Sequence, residues 1–126
     1  MLRRDEMVYL LVFISVAAMT AAQLLLKKGL LSIGEFPACL NDIIPFFLKA
    51  YTNIHVIFAV LLTIVTAMVW VLAVSKAQLS FLYPFMALSY VLVALFSLLL
   101  FKEDVGVLRW LGITVICAGV FLVARS

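Results

Sequence analysis

Between Lys76 and Lys102 the chain carries no charged residue, and a single proline, Pro84, sits inside that apolar run. From Ala77 to Phe101 the run is long enough, at about 1.5 Å per residue, to cross a hydrocarbon core about 30 Å thick. Pro84 has no N–H to donate to the carbonyl of Ser80, so the helix is predicted to bend there. In lipid a bent helix persists where protein or a wet cavity covers the freed carbonyl. Steps of four and three place Tyr83, Ala87, Tyr90, Ala94 and Ser97 on one helical face. Small and hydroxylated side chains occupy that face, and leucine, valine and phenylalanine most of the rest. Such a face suits either close helix packing or the lining of a pathway.

Three further apolar runs flank this one. Over 126 residues the chain is 68% hydrophobic and 12% charged, with a mean hydropathy of +1.33. These values exclude an ordinary soluble domain and predict an all-α membrane protein with four transmembrane helices. The spans are expected at about 6–31, 53–75, 77–101 and 108–124, forming one domain over 1–126. The net charge of +3 lies in the breaks between runs, where basic residues anchor helices at the interface, so no nucleic-acid surface is expected. Cys39 and Cys117 have neither metal-ligand spacing nor the pattern of a disulfide framework. The single histidine, His55, falls near a membrane boundary and reads as an interfacial hydrogen-bonding residue. No catalytic constellation, cofactor motif or metal set emerges, so the chain does not read as an enzyme. Arg3 and Arg4 before an apolar run imitate a signal peptide, but Asp5 and Glu6 interrupt the basic leader. The run from Met7 to Leu26 is itself long enough to span, and is read as retained.

In the first span Tyr9, Phe13, Val16, Thr20, Gln23 and Lys27 share a face that becomes more polar toward its C-terminal end. Lys27 and Lys28 close the span. Such lysines ordinarily snorkel to the interface. Alternatively Gln23 and Lys27, one turn apart, could offer donors to a phosphate just below headgroup level, where a lower dielectric strengthens the pairing. Gly34 and Pro37 should break this helix. Pro45 and the shortness of the run around Ile43–Leu48 argue against a span there, so a short interfacial segment is expected between the first two spans. In the second span Ala59, Thr63, Thr66, Trp70 and Ala73 form a small and polar face. In the last span Gly112 and Gly119, seven residues apart, with Ala118 beside them, favour close helix approach within the bundle or in a dimer.

An even number of spans puts both termini on one side. Arg3, Arg4, Lys76 and Arg125 fall on that side; Lys27, Lys28, Lys49, Lys102 and Arg109 fall on the other. This near balance gives the positive-inside rule little purchase, and parallel and antiparallel pairing both stay open.

The chain also resembles a known family. Trp70, Leu79 through Tyr83-Pro84, Ala87-Leu88-Ser89, Lys102-Glu103, Trp110-x-Gly112 and Gly119 resemble the small four-helix flippase subunits for undecaprenyl-phosphate-aminoarabinose. Those proteins belong to the EamA branch of the drug/metabolite transporter superfamily. Ala22-Gln23-Leu24 followed by Lys27 is similar to the same family's Gln-x-x-x-Lys segment. The connection from Ser32 to Thr52 departs from the pattern, being longer and greasier. Ile116-Cys-Ala-Gly-Val120 is similar to the small multidrug resistance exporters, which use a glutamate in the middle of the first helix. Ala17 to Ala22 contains no carboxylate, which leaves cation/proton exchange without its physical basis.

The resemblance implies a flippase for an undecaprenyl-phosphate lipid carrier, with or without a linked sugar, in a bacterial inner membrane. It would work by alternating access as a homodimer or with a related four-helix chain. Gln23, Lys27, Trp70, Tyr83 and Tyr90 are the expected substrate-binding residues. Pro84 is the expected hinge, and Gly112, Ala118 and Gly119 the packing or dimer face. Two alternatives are an exporter of organic cations or metabolites, and a non-transporting accessory of a membrane glycosyltransferase.

Overall fold

In a computed structural model, residues 3–34 and 39–126 are described, apart from the side chain of Arg4. Pro37, expected to help end the first span, lies outside them. The described residues form helices and connecting turns, with no strand. The long helices are α1 (Arg4–Ile33), α3 (Ile54–Lys76) and α6 (Val107–Arg125). The third span is built from two shorter pieces, α4 (Leu79–Met86) and α5 (Leu88–Leu100). Between α1 and α3 lie a 3-10 turn at Leu40–Asp42 and the short helix α2 (Ile43–Thr52). Four spans are long and apolar enough to cross a membrane. Their ends lie within a turn of the sequence expectation.

Local chemistry sets these boundaries. Asp5 and Glu6 occupy the first turn of α1, where negative charge complements the helix dipole, and Glu6 accepts the Arg3 N–H at 3.4 Å. Gly34, with φ of 111°, ends α1 and donates its N–H to the Leu30 carbonyl; that conformation strains any other residue. At ten residues α2 is about 15 Å long, too short to cross. Ile44, Phe47, Leu48 and Tyr51 are exposed along it, with Phe47 and Tyr51 stacked at 6.2 Å. This is the amphipathic character of a helix lying in the interface.

Asn53 ties the start of α3 to the end of α1. Its side-chain oxygen accepts the His55 N–H at 2.9 Å, and its amide donates to the Ser32 hydroxyl at 2.8 Å. A Cβ at Gly29 would come within 2.7 Å of a Val56 methyl, so glycine lets the two backbones approach here. From this corner α1 and α3 pack along one another more extensively than any other pair. Ala59, Thr66 and Ala73 are buried, Trp70 is half-buried and Thr63 is exposed. Most of the small face of the second span is therefore spent on packing. Thr20, Thr63 and Thr66 donate their hydroxyls to carbonyls four residues back, a local solution for polar groups in lipid.

At the other end of the bundle Val8, Val12 and Val16 of α1 meet Ala73, Leu82, Phe85 and Val120 in a buried apolar cluster. Tyr9 reinforces it through edge contacts with Phe81 and Phe85, each at 6.0 Å between centroids. The first span thus buries a face through Val8, Val12, Ser15 and Ala22. The face expected from Tyr9 to Lys27 is divided, with Val16 and Thr20 buried and Phe13, Gln23 and Lys27 exposed.

Candidate functional site

The interruption of the third span falls at Ala87, three residues past Pro84. The Ala87 N–H donates to the Pro84 carbonyl at 3.1 Å, a tightened turn. The Tyr90 N–H then turns to the Ala87 carbonyl, and the Ser89 hydroxyl donates to that of Met86 at 2.7 Å. Pro84 weakens the ladder, and Ser89, buried at the break, repairs part of it.

This broken segment forms one wall of an open groove of about 710 Å³. Tyr83, Ala87, Tyr90, Ala94 and Ser97, the stripe spaced in fours and threes, all line it. Met19 and Gln23 face them from α1, and Arg109 and Ile113 from α6. From Tyr83 to Ser97 the lining extends about 20 Å along the helix axis. The groove thus runs from near the start of the third span toward the end where the basic residues gather. A second, smaller chamber of about 280 Å³ shares Met19, Tyr83 and Met86 as a wall and adds Thr63, Thr66 and Trp70. Trp70 meets Tyr83 edge to face at 5.5 Å. It belongs to this side chamber and reaches the main groove through the tyrosine.

Of the expected binding residues, Gln23, Tyr83 and Tyr90 line the groove directly. Gln23 donates its amide to the Met19 sulfur at 3.7 Å, a weak partner that a stronger acceptor displaces at little cost. Lys27 stands beside the mouth, its ammonium 3.5 Å from a Glu103 carboxylate oxygen. Glu103 lines the groove, as does Arg109; neither was among the residues expected from sequence. Glu103 was visible as a charge closing the third span within the Lys102-Glu103 motif, and Arg109 as a charge at the entry of the fourth. By sequence Arg109 falls on the same membrane face as Lys27. The connection that delivers Glu103 is unusual in its backbone. Lys102 has φ of 52°, a left-handed conformation that costs a non-glycine residue roughly 1–2 kcal/mol. The chain turns there so that the Glu103 N–H reaches the Ser97 carbonyl at 3.3 Å.

The remaining expected residues sit apart. Gly112, Ala118 and Gly119 are exposed on α6, and a Cβ at either glycine meets nothing within 4 Å. Among the described residues, the two glycines thus face open space. Cys39 and Cys117 are free thiols.

Four apolar spans and a groove that is hydroxyl-lined within the membrane and charged at its mouth define a small multi-pass membrane protein. The probable 4-amino-4-deoxy-L-arabinose-phosphoundecaprenol flippase subunit ArnF of Sodalis glossinidius is 33% identical over 112 residues, covering 86% of this chain and 84% of that one. The subunit of the same name from Photorhabdus laumondii is 31% identical over 121 residues, 93% of this chain and 96% of its own. The corresponding ArnE subunit of Pseudomonas savastanoi is 37% identical over 59 residues, 47% of this chain. That match spans about half the length of the Pseudomonas relative, 52%. No family model matches the chain, and no solved structure does. The chain belongs to the family of 4-amino-4-deoxy-L-arabinose-phosphoundecaprenol flippase subunits.

Proposed function

We propose that the chain is one half of a flippase that moves an undecaprenyl-phosphate lipid, bearing a sugar such as the aminoarabinose of its relatives, between leaflets of a bacterial inner membrane. The observation that carries this reading is the groove itself. It joins a basic mouth at Lys27 and Arg109 to a hydroxyl-lined interior in mid-span. A lipid headgroup needs such a polar track, while its acyl chain stays in the bilayer. Lys27, helped by Gln23 and Arg109, pairs with the phosphate, since charge-assisted bonds to phosphate are among the strongest a side chain makes. Tyr83 and Tyr90 offer hydroxyls to the sugar, and Trp70 backs Tyr83. Pro84, with the break at Ala87, is the bend about which the opening alternates.

The groove descends about two-thirds of a hydrocarbon core about 30 Å thick, and a second copy or a related subunit supplies the rest of the path, as repeats do in larger transporters. Tyr83 and Tyr90 are 61% and 63% exposed in the single chain, which supports a site completed by another surface. The alternative, export of an organic cation, requires a free carboxylate within the pathway. Glu103 is a carboxylate on the groove, but it lies at the mouth, and residues 77–101, which form the groove's broken wall, carry no charge.

The test is Lys27→Ala in proteoliposomes containing the lipid. Transport should fall to background while the protein stays folded and associated. Wild-type transport by that variant removes the lysine from the mechanism.

A further inference from the structure

Among the residues lining the groove, Glu103 and Arg109 carry charge. They have opposite signs and line the same groove as Gln23, Ser97 and Val105. A surface built only to hold a phosphate has no use for a carboxylate, which repels it. Glu103 is nevertheless turned into the groove by the left-handed backbone at Lys102 and the bond from its own N–H to the Ser97 carbonyl. Its partner, Lys27, approaches from beside the groove at 3.5 Å, with the two side chains 49% and 41% exposed. A pair so exposed is weak, and therefore exchangeable.

We propose that Glu103 is a specificity-determining residue that selects headgroups carrying a cationic amine alongside the phosphate. The inference rests on reading the groove as a lipid-headgroup site and assigns to it the residue that reads the amine of a zwitterionic headgroup. In the empty groove Lys27 holds the carboxylate. When a zwitterionic headgroup enters, the phosphate oxygens accept hydrogen bonds from Lys27 and Arg109, and the released Glu103 carboxylate accepts from the ammonium. One ion pair opens and three form, so no charge at the mouth loses its partner. A headgroup with a hydroxyl in place of the amine takes Lys27 away and offers no cation in return. Glu103 then stands unpaired near a phosphate, which opposes binding.

The experiment uses the complex purified from its native membrane and placed in nanodiscs, with two probes: a polyprenyl phosphate linked to an aminopentose, and the same lipid with a hydroxyl replacing the amine. Wild-type protein should bind the amine form about tenfold more tightly, roughly the contribution of one charge-assisted bond. Glu103→Gln should bring that ratio to about one, chiefly by losing affinity for the amine form, and Glu103→Asp should keep a preference. Lys27→Gln should weaken both probes and leave the preference in the same direction, a readout that holds if Glu103→Gln fails to fold. A tenfold preference persisting in Glu103→Gln, equal binding of both probes by the wild type, or a ratio that collapses in Lys27→Gln would each overturn the proposal. Failure of the wild type to bind either probe would instead bring down the flippase reading, and the selectivity with it.

Discussion

Two buried positions on α1 make opposite predictions from the same physics. Ser15 is fully buried and its hydroxyl has no hydrogen-bond partner. A polar group left unpaired in an apolar interior costs about 1–3 kcal/mol, so Ser15→Ala should hold or raise the thermal midpoint in detergent. Gly29→Ala should lower it, because the added methyl meets Val56 at 2.7 Å where Val56 is itself 1% exposed. Overpacking of this kind costs about 1–3 kcal/mol. A single thermal-unfolding series monitored by circular dichroism checks both directions. Neither role was legible in the sequence. A serine in an apolar run and a glycine after paired lysines carry no mark of what they will touch. Glu103 escaped for a related reason: the backbone reversal at Lys102 is written in no residue type, and only the folded turn brings Glu103 to Lys27.

At the scale of the element, the third span shows what sequence conveys well. An uncharged run has few places to go, and a stripe in steps of three and four survives a local break, so all five of its residues reach the groove. The break itself lies one turn beyond the proline, because the missing donor at Pro84 is followed by a tightened turn that ends at Ala87. Replacing Pro84 with alanine restores a donor for the Ser80 carbonyl. That variant should gain stability in unfolding experiments yet transport lipid several-fold more slowly if bending is part of the cycle. Transport at the wild-type rate would assign Pro84 to folding alone. The small stripe of the second span had the same kind of pattern and a different fate, since it packs against α1. Spacing identifies a face; the neighbouring helix decides what the face does.

For the whole molecule, the number and order of spans followed from hydropathy alone, because a backbone in lipid must bond within its own helix. The arrangement of helices around the groove did not, since it depends on contacts among similar apolar surfaces. The outer face of α6 remains open at Gly112 and Gly119, which fits a contact with a second four-span chain. Gly112→Leu and Gly119→Leu should therefore leave the chain folded and helical while shifting its mass in detergent toward the monomer. An unchanged assembly would place the contact elsewhere.

The central claim is that a lipid phosphate is held at the basic mouth between α1 and α6. It is tested most directly by a structure of the protein in a lipid bilayer with the phospholipid carrier bound. The account predicts phosphate density within about 4 Å of Lys27 or Arg109, with the headgroup directed along Tyr90 and Tyr83. Phosphate density at the opposite end of the bundle, beside Asp5 and Lys76, with the groove empty, would contradict it.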